Sequence, residues 1–337
     1  MGMMIDGQWH SKEPVSSTQS DTFQRAQSAF RDWITADGGP GPDGQAAQPA
    51  QANRYHLYVS LACPWAHRTL IMRELKGLQK LISVSVVNPI MGDQGWTFEP
   101  ADGVVPDPVM DAQFLHQLYA KADPQFTGRI TVPVLWDKQR GTIINNESAE
   151  IMRIFNSAFD TLGARSLDMA PAELLGEIDK INAHVYDTVN NGVYKAGFAR
   201  SQAAYDTAVH ALFDSLDGLE ARLSQQRYLT GTQLTEADWR LFTTLIRFDP
   251  VYVGHFKCNL RRLIDYPNLW NYMLELYQMP GVASTVSLDH IKTHYYSSHR
   301  HLNPTGIVPA GPVLDLNGPH GRGHLPVQPG PLHIGLQ

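Results

Sequence analysis

The chain has 337 residues, 43% hydrophobic and 18% charged, enough for two domains with cores of their own. A formal net charge of −6, with no basic stripe interleaved with aromatics, argues against a nucleic-acid partner. No window approaches the ~18 consecutive apolar residues that a membrane span needs, and the opening MGMMIDGQWHSKEP has neither the basic region nor the apolar core of a secretory signal.

Residues 1–20 read as polar and irregular. A short amphipathic helix is expected over 21–34, with Asp21 as cap and Phe23, Ala26, Phe30 and Trp33 on one face. GGPGPDGQAAQPAQAN (38–53) reads as a connector without core-forming residues. A strand then carries Tyr55, Leu57 and Val59 into a turn that delivers Cys63-Pro64-Trp65-Ala66-His67 to a helix with Leu70, Ile71, Leu75 and Leu78 at helical spacing. LISVSVV (81–87) is β-branched and alternating, 88–100 is a long loop, and a helical segment around 109–122 carries Phe114, Leu115, Leu118 and Tyr119. ITVPVLWD (130–137) and TIIN (142–145) predict a hairpin turned near Lys138–Gly141. Asn146-Glu147-Ser148 then opens a helix with Ile151, Ile154 and Phe155 on its face. The order βαβ, α, ββα is that of a thioredoxin-like α/β domain.

After a linker at 158–172 the strand signals stop. Helical periodicity runs through 172–190, 201–226, 235–249 and 266–278. Thr235-Glu236-Ala237-Asp238 is a capping box flanked by Leu234 and Trp239, and Pro267 and Met279-Pro280-Gly281 bracket another helix. The expected organisation is an N-terminal extension and connector (1–53), a thioredoxin-like domain (54–157), an all-helical domain (172–302) and a Pro/Gly/His-rich tail (303–337), irregular or mobile.

Cys63 carries the chemistry. Pro64 suits the first helical position, where a missing N–H costs nothing, which leaves Cys63 at the N-cap facing free N–H groups and the positive end of the helix dipole. Such a setting favours thiolate and can lower the pKa from ~8.5 to about 3.5–7.5. The spacing resembles the Cys-x-x-Cys of thioredoxin-like proteins with His67 in place of the second cysteine, so the site must exchange with a thiol from outside. The alternative is a buried, inert cysteine. The other cysteine, Cys258, reads as a bystander near a helix start. Two cysteines make no disulfide framework, and free thiols persist best in a reducing compartment, so the expected location is the cytoplasm.

Longer motifs narrow the reading. YVSLACPWAHR (58–68), GWTF (95–98), RITVPVLWD (129–137), NESAEI (146–151), NNGVYKAGF (190–198), FDPVYVGHFK (248–257) and LNPTG (302–306) stand in the order in which the xi-class glutathione transferases, the glutathionyl-hydroquinone reductases, carry them. The chain resembles that family over roughly residues 1–320. The resemblance implies a thioredoxin-like domain followed by an all-helical one, glutathione as co-substrate, a glutathionylated hydroquinone as partner, and a homodimer.

It also distributes roles. Pro133 matches the cis-proline of the fold, which turns the Val132 backbone toward the cysteinyl part of glutathione. Ser148 and Glu147 open a helix, where an N–H and a hydroxyl can hold the γ-glutamyl carboxylate and Glu147 can accept from its ammonium; simple N-capping is the alternative. Arg129 pairs with the glycyl carboxylate or is a solvated surface residue. Trp96 covers the tripeptide or is a core residue pinning its loop. The resemblance places Tyr194, Tyr252 and Tyr295 in the pocket for the aromatic substrate, where phenols donate to a hydroquinone oxygen and rings stack; tyrosines at helix ends also serve as core.

Two other mechanisms compete. A conjugating transferase would activate glutathione with Tyr58 or Ser60, and a non-catalytic module would bind glutathione without forming a mixed disulfide. A general thiol transferase or dehydroascorbate reductase of the cysteine type is the alternative activity. No metal is expected: His290 and His294 have i,i+4 spacing, but neither they nor His299 and His301 have an acidic third ligand or an HExxH pattern.

Overall fold

The computed structural model of the chain describes residues 2–12 and 23–328, which form two compact units. The first gathers Gln27–Ser166 and Thr285–Val308 with the N-terminal hairpin; the second gathers Leu167–Ser284 with residues 23–26 and the chain after Val308.

Strands β1 (Met3–Ile5) and β2 (Gln8–His10) form an antiparallel hairpin, where an irregular segment was expected. The signal is Asp6-Gly7: both residues have positive φ (48° and 77°), the conformation a two-residue hairpin turn requires. The hairpin is fastened to residues 126–128 through Met4 and Gly128, which exchange backbone hydrogen bonds.

The helix expected over 21–34 is not formed at residues 23–34, and the proposed cap, Asp21, lies outside the described residues. Its apolar residues disperse instead. Phe30 packs on Phe126 and Tyr119, Phe23 packs on Tyr194 and Phe198, and Trp33 enters strand β3 (Trp33–Thr35). The parallel partner of β3 is β4 (Ala47–Pro49), inside the supposed connector, and Ala50 after it is buried. Tertiary burial overrides local periodicity here.

The central sheet has the order β6-β5-β7-β8. Strand β5 (Tyr55–Val59) is its fully buried middle and leads to α1 (Pro64–Leu75). Strand β6 (Ser83–Val86) runs parallel to β5 and is shorter than expected, because the Leu81 and Ile82 N–H groups close a turn on Leu78. Helix α2 covers only His116–Ala122. The preceding residues are held out of a helix by Asp107, whose carboxylate accepts from the N–H groups of Val109, Met110 and Ala112. Antiparallel β7 (Val134–Asp137) and β8 (Thr142–Asn145) turn through Gly141 at φ 64°, and α3 (Ser148–Ser157) follows. The expected order βαβ, α, ββα is the observed one.

The second unit is helical: α4 (Leu175–Val185), α5 (Gly192–Gly197), α6 (Gln202–Leu223), α7 (Glu236–Arg247) and α8 (Pro267–Tyr277). Wide π-helical turns at Tyr186–Asn190 and Phe248–Tyr252 follow α4 and α7. The capping box at Thr235 and Asp238 starts α7, and Pro267 starts α8. At the end of α5, Gly197 allows a close approach: a Cβ there would stand 2.2 Å from a ring carbon of Phe256. Helix α9 (Leu288–Ser298), capped by Ser287, had no separate place in the sequence reading and belongs to the first unit.

Residues 303–328 carry one short helical turn, Arg322–His324, and residues 309–328 are fixed rather than loose. Leu316 is buried, and the buried Arg322 meets Glu275 and donates to the carbonyls of Leu223 and Arg227. No described helix is long and apolar enough to cross a membrane.

Candidate active site

Helix α1 begins where the sequence predicts. Ser60 ends the strand by accepting from the Ala62 N–H with its hydroxyl and from the Cys63 N–H with its carbonyl. Cys63 is the N-cap, in extended backbone (φ −76°, ψ 121°), with Pro64 in the first turn. Its thiol is half-buried and lies 3.6 Å from the Val132 carbonyl oxygen. The Val132–Pro133 peptide is cis, and Pro133 leads directly into β7.

His67 and Arg68 have structural partners one turn further on. His67 Nε2 is 2.8 Å from the Thr285 hydroxyl. The buried Arg68 guanidinium lies over the Trp65 ring at 4.4 Å and reaches the Ser148 hydroxyl at 3.5 Å. Sequence reasoning did not anticipate this link from the cysteine helix to Ser148.

At the start of α3, Glu147 is itself the N-cap: Oε1 accepts from the Ala149 N–H at 3.2 Å. Ser148 is the first helical residue, so its N–H is one of the terminal donors that the helix leaves for another acceptor. Capping occupies one lone pair of a carboxylate that has about four, so it does not exclude a further donor there.

Tyr119 joins this helix start to the Val132 turn, and nothing in its spacing gave it a role. Its buried hydroxyl donates to the Thr131 carbonyl at 2.8 Å and accepts from Asn146 Nδ2 at 3.2 Å. Desolvation raises its pKa, which keeps the phenol protonated as a donor.

Arg129 is exposed just before this turn. Trp96 is largely buried and stacks on His294 of α9 at 4.7 Å. Its loop is fastened where His294 Nδ1 donates to the Pro89 carbonyl, His290 Nε2 to the Asp102 carbonyl and Trp9 Nε1 to the Asp93 carbonyl. Of the histidines considered for a metal, His290 and His294 thus act as clasps, and among the described residues no three His, Cys, Asp or Glu groups gather as metal ligands.

Tyr194, Tyr252 and Tyr295 do not lie in one unit. In the second unit Tyr194 packs edge-on to Phe256 at 5.4 Å and tilted to Tyr252, which stacks on Phe256 at 5.5 Å. Tyr295, on α9, lies in the first unit against His294 and His299. All three are mostly buried. Cys258 is also buried, and desolvation pushes its thiol well above the usual range. Tyr58 donates to Asp107 at 2.7 Å, and burial beside that carboxylate raises its pKa. The one proton of this hydroxyl is thus committed to Asp107, which disfavours it as the donor to glutathione's sulfur that a conjugating mechanism would use.

Comparison with known proteins places the chain. Residues 62–158 match the glutathione S-transferase N-terminal domain and residues 202–275 the glutathione S-transferase C-terminal domain. The chain is 59% identical to glutathionyl-hydroquinone reductase YqjG of Escherichia coli, over 96% of this chain and 98% of that protein. It is 53% identical to glutathionyl-hydroquinone reductase PcpF of Sphingobium chlorophenolicum, over 94% and 98%. Among solved structures, glutathione-bound YqjG from Escherichia coli K-12 superposes with a TM-score of 0.88 at 58% identity, covering 95% of this chain and 99% of that one. A xi-class glutathione transferase from Natrialba magadii gives 0.89 at 46% identity, covering 97% and 98%. The chain belongs to the glutathionyl-hydroquinone reductases, the xi class of the glutathione transferase family.

Proposed function

We propose that this enzyme reduces glutathionyl-hydroquinones to hydroquinones at the expense of glutathione, with Cys63 as the nucleophile. The observation that carries this is a lone half-buried cysteine at the N-cap of α1, 3.6 Å from the Val132 carbonyl, in a chain that is 59% identical to a glutathionyl-hydroquinone reductase. The neighbour with bound glutathione supports the same co-substrate here.

In the first step the Cys63 thiolate attacks the sulfur of the thioether. The carbon–sulfur bond breaks, its electron pair stays on the ring carbon and is protonated, and hydroquinone leaves. The glutathione sulfur is oxidised into a Cys63–glutathione disulfide while the ring carbon is reduced. A second glutathione thiolate then attacks that disulfide, releases glutathione disulfide and restores the Cys63 thiolate. The double displacement gives ping-pong kinetics.

We assign glutathione to Val132 and Pro133 at its cysteinyl backbone, Ser148 and Glu147 at its γ-glutamyl end, Arg129 at its glycyl carboxylate and Trp96 as cover. Tyr194, Tyr252 and Tyr295 contact the hydroquinone, stacking on the ring and donating to its oxygen. Residues 54–157 then hold the peptide, and the helical residues from 172 onward contribute to binding the aromatic half. A homodimer in the cytoplasm completes the proposal; the class resemblance supports the first, and two cysteines not joined as a disulfide support the second.

The test is turnover of a glutathionyl-hydroquinone with glutathione by wild type and Cys63→Ala. Wild-type turnover that is lost in the variant is expected, with a single glutathione adduct on Cys63 by intact mass. No wild-type turnover would overturn the proposal, as would activity retained without Cys63.

A further inference from the structure

The N-terminal extension reaches the γ-glutamyl end of the proposed glutathione site through Ser28. Its hydroxyl lies 2.9 Å from Glu147 Oε2 and 3.2 Å from the Asn146 carbonyl oxygen. A serine hydroxyl has one proton, and a carboxylate outcompetes a carbonyl for it because the charged acceptor makes the stronger bond. Glu147 Oε1 already accepts from the Ala149 N–H. The carboxylate is therefore held by one donor on each oxygen, with a lone pair on each still available.

The segment that carries Ser28 is well fixed. Phe30 and Asn146 exchange two hydrogen bonds, from the Asn146 N–H to the Phe30 carbonyl and from the Phe30 N–H to Asn146 Oδ1, each 3.1 Å. The Phe30 ring stacks on Phe126, Arg31 pairs with Glu150 on α3, and Asn145 Nδ2 donates to the Asp32 carbonyl. Contacts from Ser28, Phe30, Arg31 and Asp32 thus lay residues 28–32 along 145–150. None of this was legible in sequence, since Ser28 and Glu147 are 119 positions apart.

We propose that Ser28 is a positioning residue for glutathione: it fixes the Glu147 carboxylate so that its remaining lone pairs meet the α-ammonium of the γ-glutamyl group. The proposal rests on the assignment of Glu147 to that ammonium. Its signature is a KM effect without a matching kcat effect, because the γ-glutamyl group takes no part in the sulfur exchange and Ser28 acts on binding alone.

The experiment is steady-state kinetics in a glutathionyl-hydroquinone, whose glutathionyl group is the one this site binds, at fixed glutathione, for wild type, Ser28→Ala, Ser28→Thr, Glu147→Gln and the double variant Ser28→Ala/Glu147→Gln. Loss of one charge-assisted hydrogen bond should raise the glutathionyl-hydroquinone KM of Ser28→Ala about five- to tenfold with kcat within about twofold. Ser28→Thr should restore KM, and Ser28→Ala should add nothing in the Glu147→Gln background. An unchanged KM in Ser28→Ala while Glu147→Gln raises it overturns this proposal and spares the site assignment. An unchanged KM in Glu147→Gln overturns both. Equal effects of Ser28→Ala in the two backgrounds also overturn it, because the serine then acts without Glu147.

Discussion

Cys63 holds its sulfur 3.6 Å from the carbonyl oxygen of Val132, a residue 69 positions later in the chain. The helix start and the cis turn before β7 thus face each other across the edge of one domain. A peptide thiol that pairs with the Val132 backbone is brought beside the Cys63 sulfur by that contact.

The two thiols should differ sharply in reactivity. Cys63 is half-buried at a helix start, whereas Cys258 is buried and its thiol is pushed up by desolvation. A thiol-titrating disulfide reagent should count one cysteine in the native protein, none in native Cys63→Ser and two in denatured wild type. Two fast-reacting thiols in the native protein would contradict this arrangement.

Tyr119→Phe should loosen both halves of the proposed glutathione site at once. It leaves the Thr131 carbonyl and Asn146 Nδ2 without their shared partner. We expect a loss of about 1–3 kcal/mol in stability by urea unfolding and a higher KM for the glutathionyl-hydroquinone. Wild-type stability and KM in the variant would show that the hydroxyl ties nothing together.

Arg322→Ala tests whether the tail is part of the helical unit. Glu275 accepts from Arg227 Nε at 2.6 Å, from the Tyr228 hydroxyl at 3.0 Å and from Arg322 Nε at 3.1 Å, all of them buried. Removing one arginine leaves a buried carboxylate underneutralised and several carbonyls without donors, at a cost of about 3–5 kcal/mol. A denaturation midpoint that does not move would mean that the tail is dispensable.

His56 should make the first unit acid-sensitive. It sits between the hydroxyls of Ser83 and Ser85, and desolvation lowers its pKa from 6.5 to about 4. The unfolded chain binds this proton first, so stability is unaffected above pH 6.5 and falls as the pH drops from 6.5 toward 4. Between pH 7.5 and 5 the loss attributable to this ring is about 2 kcal/mol. His56→Gln should flatten that part of the profile, read from urea midpoints at the two pH values. An identical slope in the variant would assign the sensitivity elsewhere.

Local features were the most legible. Tyr55 to Val59 is a short apolar run followed by a turn and a proline, and it forms a strand, a turn and a helix with Cys63 at the cap. The capping box at Thr235 and Asp238 likewise starts a helix, because each device needs only residues within one turn. Failures came where a segment's fate depended on distant partners. Phe23, Ala26, Phe30 and Trp33 have helical spacing, but the three aromatics pack in three different places, so no helix forms over 23–34. Residues 109–115 read as helical until Asp107 takes the N–H groups of Val109, Met110 and Ala112.

The sequence by itself determined that one cysteine begins a helix without a resolving partner, and that the chain changes from alternating strands and helices to helices alone. Those are consequences of spacing, capping and proline chemistry within short windows. Only the tertiary structure decided that Val132 faces the sulfur, that Tyr119 links Thr131 to Asn146, that Ser28 reaches Glu147 and that Arg322 is buried on Glu275. Each of those pairings joins residues 12 to 119 positions apart, and the geometry that selects them exists only once the chain has folded.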